Sequence, residues 1–143
     1  MARPRIICYG LNGRVENPSW TEVELRVRSL ALHSAWSLSV CVERAGDHLE
    51  LRRAGTDTYH VSLRIDPTLY FAAGGDIHCG TEEGNRFVRH DRPPLTGAIE
   101  AAKHFYDDGS LAPNLVWFCF NLNRPTRASR KRWLKRWWSG KVC

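Results

Sequence analysis

The sequence predicts an α+β fold, with a mostly antiparallel sheet of about five to seven strands and one helix packed on it. The first observation is a series of alternating apolar and polar segments joined by short loops, which indicates an antiparallel meander with one solvated face. The second is a helical spacing of apolar residues after Pro93-Pro94. The third is an unbroken apolar run over residues 115–120, which predicts a buried central strand.

The meander predicts most of the strands. Glycine-containing turns separate its segments, and Asp66-Pro67 ends the last of the three alternating ones. A short apolar segment near the N-terminus adds an opening strand. The predicted strands in this part of the chain cover residues 5–9, 36–43, 48–53, 59–65 and 69–73.

Residues 20–32 fit two assignments. Apolar residues alternate with charged ones there, as in a strand. Ser19 and Glu22, however, have the spacing of a capping box, and Val23 and Val27 fall on one face of a helix. We favour the strand because β-branched and aromatic residues are frequent in this segment.

Residues 74–94 are rich in glycine and proline and predict a long loop with Phe87-Val88 as a short strand. The apolar spacing predicts a helix over about residues 95–107. It begins after Pro93-Pro94, because proline is accepted before a helix but not in its interior. Asp107-Asp108-Gly109 ends this helix.

The charge is divided unevenly along the chain. The 143 residues include 21 Lys and Arg and 15 Asp and Glu, but residues 124–143 hold eight of the basic residues and no acidic one. Residues 1–123 therefore carry 13 basic and 15 acidic residues. We predict a single α+β domain over residues 1–123 and a basic, Trp-rich tail over 124–143.

The tail has the composition of an amphipathic helix, with tryptophans on one arc and basic residues on the other. Such a segment suits contact with a polyanion, a membrane surface or a protein partner. It equally suits packing of the tryptophans on the domain. The candidate contact residues are Arg130, Lys131, Arg132, Trp133, Lys135, Arg136, Trp137 and Trp138.

No motif in the sequence specifies catalysis. The six histidines show no HxxxH, HxH or HExxH spacing, and the five cysteines include no CxxC. We therefore expect no catalytic residue, no metal and no cofactor, and we expect reduced thiols. The weaker alternatives are a metal site at Asp76, His78 and Asp91, and a Cys79 nucleophile with His90 or His104 as its base.

The chain has no apolar run long enough for a membrane-spanning helix and no long apolar segment near its start. We expect a cytoplasmic protein.

Three segments together resemble a known family. They are Tyr59-His-Val-Ser-Leu-Arg-Ile-Asp-Pro67, Pro93-Pro-Leu-Thr-Gly-Ala-Ile-Glu-Ala-Ala-Lys-His-Phe-Tyr-Asp-Asp-Gly109 and Leu115-Val-Trp117. A meander, an alanine-bearing helix with an aromatic residue, and a strand with a tryptophan follow one another over about residues 36–120. This pattern resembles the immunity proteins of bacterial polymorphic toxin systems, particularly the group associated with nucleic-acid deaminase toxins.

The resemblance implies a non-catalytic antitoxin that binds a cognate protein toxin and occludes its active site, without a small-molecule substrate. Acidic residues would complement the basic cleft of a toxin that acts on nucleic acid. The contacts expected in the domain are Asp76, Glu82, Glu83, Asp107 and Asp108. The basic tail departs from the acidic composition of such proteins.

Two other functions stay open. The tail would make the protein a nucleic-acid-binding or membrane-surface module. The segment 74–94 would make it a small enzyme or a ligand-binding protein if its polar residues converged on a pocket.

Overall fold

The computed structural model describes residues 3–10, 13–33, 38–74, 77–83 and 85–121, and it has the predicted α+β architecture. The predicted tail helix lies outside these residues. The helices are Trp20–Ser29 (α1) and Leu95–Asp108 (α2), with a 3-10 turn at Leu30–Leu32. The strands are Ile6–Tyr9 (β1), Val15–Glu16 (β2), Ser39–Arg44 (β3), Asp47–Arg53 (β4), Tyr59–Ile65 (β5), Thr68–Ala73 (β6), Ile77–Glu82 (β7), Asn85–His90 (β8) and Val116–Asn121 (β9).

Seven of these strands form one antiparallel sheet in the order β2-β1-β3-β4-β5-β6-β9. Apolar and polar side chains alternate along the meander strands, so that one face of the sheet is apolar and buried. Val42, Leu49 and Leu63 stand opposite one another across β3, β4 and β5, and all three are buried. Phe105 of α2 is also fully buried and belongs to the same core cluster. The hydrophobic effect of this burial holds the helices against the sheet.

The strand that we favoured over residues 20–32 is wrong, because Trp20–Ser29 is helical. The hydroxyl of Ser19 caps the helix by accepting a hydrogen bond from the backbone N–H of Glu22, at 3.2 Å. Val23 and Val27 then lie on the buried face of α1. Capping and tertiary packing outweigh the local β-propensity of this segment.

Two further assignments need correction. The predicted loop over residues 74–94 contains two six-residue strands, β7 and β8, which pair with each other in a separate sheet. Residues 115–120 contain a strand with buried side chains, as predicted, but β9 is not central. It comes last in the strand order of the described residues, beside β6.

Three arginine side chains connect distant parts of the backbone. Buried Arg26 donates from Nη1 to the carbonyl oxygens of Gly10 and Gly13, at 2.8 and 2.7 Å. Arg53 donates to four carbonyl oxygens that lie after α1 and in the β4–β5 turn. Arg44 reaches the Asp107 carbonyl at the end of α2, at 3.4 Å. Charge-assisted hydrogen bonds of this kind fix the loops around the sheet.

Candidate partner-binding surface

Strands β7 and β8 pair with each other in a two-stranded sheet that is separate from the main sheet. Its register runs from Ile77 opposite His90 to Glu82 opposite Asn85, which leaves a two-residue turn. Glu83, the first residue of that turn, has a φ of 52° and is exposed. Positive φ is what two-residue hairpin turns of the primed types require. The hairpin therefore presents an acidic residue at its end.

The base of the hairpin is tied to the domain by backbone contacts. The Gly74 N–H donates to the Asp91 carbonyl at 2.7 Å, and the Tyr59 N–H donates to the Pro93 carbonyl at 2.9 Å. A Cβ added at Gly74 would lie 2.4 Å from the Arg92 carbonyl oxygen. The two strands thus leave and rejoin the domain at a tightly packed point.

The predicted acidic contacts fall on two elements of the structure. Glu82 ends β7 and Glu83 begins the hairpin turn, whereas Asp107 and Asp108 are exposed in the last turn of α2. The members of each pair are already consecutive in the chain. Asp76 and the predicted tail contacts lie outside the described residues.

The two aspartates at the end of α2 have different partners. Asp107 Oδ1 lies 2.8 Å from Lys103 Nζ, one helical turn away. Asp108 Oδ1 accepts a hydrogen bond from the Ser110 backbone N–H at 2.9 Å. Hydrogen bonding to Ser110 lowers the pKa of Asp108 from its usual value. Asp108 therefore remains charged at neutral pH.

Trp20 and Tyr106 form an aromatic pair that the sequence analysis did not predict as a site. Their ring centroids lie 5.7 Å apart, and Lys103 Nζ is 5.1 Å from the centroid of Trp20. Both rings are only partly buried. The helical assignment of residues 20–29 is what places Trp20 beside α2, so the strand assignment concealed this contact.

The cysteines correct the expectation that all five are reduced. Cys119 is disulfide-bonded, whereas Cys8 and Cys41 are free. Burial raises the pKa of Cys8 to about 11 and also raises the pKa of Cys41. Both free thiols are therefore protonated at neutral pH, and a protonated thiol is a poor nucleophile.

The alternative catalytic and metal residues are only partly described. His78 and Cys79 are consecutive residues of β7, and His90 ends β8. His104 lies on α2, four residues before Asp108. Within the described ranges no group of three His, Cys, Asp or Glu residues is arranged to hold a metal ion. Asp76 lies outside them.

Comparison with known proteins adds no relative. No protein-family model matches the chain, and no curated protein matches it. Among the described residues, no helix is both long and apolar enough to cross a membrane.

The burial of Cys8 predicts a loss of stability at alkaline pH. The unfolded thiol titrates near pH 9.0 and the folded thiol near 11, so in this window the unfolded chain binds fewer protons. The free energy of unfolding should therefore fall as pH rises from about 9 to about 11, with no contribution from Cys8 below that range. Cys8→Val, which keeps an apolar side chain of similar size, should show a smaller fall.

The melting temperature of both proteins, measured at pH 7 to 11, tests this expectation. Burial also raises the pKa of Tyr59, so part of the alkaline fall should persist in the variant. Identical pH dependence in the two proteins would contradict the role given to Cys8.

Proposed function

We propose that the protein is a non-catalytic immunity protein that acts in the cytoplasm by binding a bacterial toxin domain and occluding its active site. The β7–β8 hairpin is the observation that carries the proposal. It is a ribbon outside the main sheet, it is fixed at its base, and exposed Glu83 lies at its turn. A carboxylate at the turn of a hairpin suits contact with a basic cleft.

The distribution of charge supports a basic partner for the domain. Residues 1–123 contain two more acidic than basic side chains, although the whole chain has a formal net charge of +6. Asp107 and Asp108 supply a second exposed acidic position. Complementary charge increases the rate of association and disfavours partners of the wrong sign.

The basic tail supports a second candidate function, contact with a polyanion. Its eight basic residues are accompanied by no acidic residue. Binding through such a segment would weaken steeply with salt, because each phosphate contact releases a counterion.

Co-expression with the protein encoded by the adjoining gene separates these two functions. The full chain and a chain ending at Asn123 are each purified with that protein, and growth of the host reports protection from the toxin. The immunity proposal expects both chains to form a stoichiometric complex and to restore growth. It would be overturned if neither chain bound, or if only the full chain bound and did so equally to unrelated DNA.

A further inference from the structure

Four side chains at the junction of α1 and α2 form a preorganised surface, which we call the aromatic patch: Trp20, Lys103, Tyr106 and Asp107. The Trp20 and Tyr106 rings are inclined at 52°. The Tyr106 hydroxyl donates to the Pro18 carbonyl oxygen at 2.8 Å, which fixes one ring. Trp20 is the first residue of α1, and its partly buried side chain packs against the hydrophobic core.

Lys103 connects the rings with the acidic end of α2. Its Nζ lies 5.1 and 6.0 Å from the centroids of Trp20 and Tyr106, and 2.8 Å from Asp107 Oδ1. The side chains of Lys103 and Asp107 are nevertheless 44% and 49% exposed. The patch is thus ordered by internal contacts and still accessible, so a partner would lose little conformational freedom in binding it.

We propose that the aromatic patch is an anchor for a protein partner with a basic surface, namely the toxin domain of the proposed function, on which this inference rests. Tryptophan and tyrosine are the residues that most often dominate the energy of protein interfaces. A fixed aromatic pair beside exposed carboxylates offers apolar contact and charge to the same partner.

The exposed charges favour a protein over an anionic polymer or membrane. Asp108 is exposed and forms no ion pair among the described residues, and its carboxylate accepts a hydrogen bond from the Ser110 backbone N–H. Arg44 is directed to the Asp107 carbonyl and Lys103 to the rings and a carboxylate. A phosphate-rich surface would therefore meet an unpaired carboxylate beside cations that already have partners, which is unfavourable.

Calorimetric titration of the full chain with the adjoining gene product tests the inference. Trp20→Ala and Asp107→Lys should each weaken binding at least about tenfold, which is the order of effect expected at an interface anchor. Asp107→Lys places a cation at a helix C-terminus, where the macrodipole favours it, so the variant should fold. Leu25→Ala, at a 63% exposed position elsewhere on α1, is the matched control and should bind within about twofold of the wild type.

The inference requires that both Trp20→Ala and Asp107→Lys lose affinity while their melting temperatures stay above the assay temperature. If the wild type binds and either variant binds like Leu25→Ala, the anchor is overturned, while the proposed function is unaffected. If the wild type does not bind, the proposed function itself fails. If instead the full chain binds phosphatidylglycerol vesicles and Trp20→Ala abolishes that binding, the partner assigned to the patch is wrong.

Discussion

Replacing Glu83 by lysine should weaken binding of the toxin domain by about tenfold to hundredfold, or about 1.4 to 2.7 kcal/mol. Glu83 is exposed at the hairpin turn, and its left-handed backbone conformation is the same for either side chain. The reversal replaces an attraction to a basic cleft by a repulsion. Most of the loss of affinity should therefore arise in the contact with the partner, and little of it from a change in the stability of the fold. The affinity is measured by titration at two salt concentrations.

Glu24→Lys is the control for this charge reversal. Glu24 is a partly exposed acid on α1 with one surface ion pair, to Arg28 at 3.3 Å. An exposed pair of this kind contributes little to stability. The control should bind nearly as well as the wild type, whereas equal losses in the two variants would show that net charge alone, and not the hairpin, determines affinity.

Replacing Gly10 by alanine should lower the free energy of unfolding by about 3 kcal/mol or more. Gly10 has a φ of 125°, a region that side-chain-bearing residues rarely adopt. An added Cβ would also lie 2.4 Å from the Ser39 carbonyl oxygen and 3.1 Å from the Val40 Cα. Both neighbours belong to the backbone of β3 and cannot move aside without disturbing the sheet.

Gly46→Ala separates the two causes of that loss. Gly46 also has a positive φ, 86°, but no atom lies within 4 Å of an added Cβ. This variant should show only the conformational cost, about 1 to 2 kcal/mol. Chemical denaturation of the three proteins gives the comparison. Equal destabilisation at the two glycines would mean that the close approach of Gly10 to β3 does not limit stability.

The sheet and α2 could be predicted because their patterns extend over many residues. The three meander strands alternate with a period of two, and Leu95–Asp108 has a helical spacing between proline and glycine. The helix α1 could not be assigned with the same argument. Its ten residues fit both the alternation of a strand and the three-to-four-residue spacing of a helix. Only the Ser19 cap and the packing of Val23 and Val27 select the helix.

The candidate surface was only partly visible in the sequence. The acidic residues could be selected by type, but the position of Glu83 at a hairpin turn depends on the β7–β8 pairing, which Gly80 and the surrounding glycines concealed. Gly80 lies inside β7 opposite Phe87 and does not interrupt it. The contact of Trp20 with Tyr106 joins residues 86 positions apart in the chain, and no local pattern predicts such a contact.

Amide hydrogen exchange of the full chain, alone and in complex with the adjoining gene product, locates the surface that contacts the partner. If the hairpin makes the contact, the complex slows exchange at amides of the β7–β8 turn, and amides of the buried strands β3 and β4 change little. Unchanged exchange throughout the hairpin in a stoichiometric complex, with protection confined to residues 124–143, would contradict the hairpin contact.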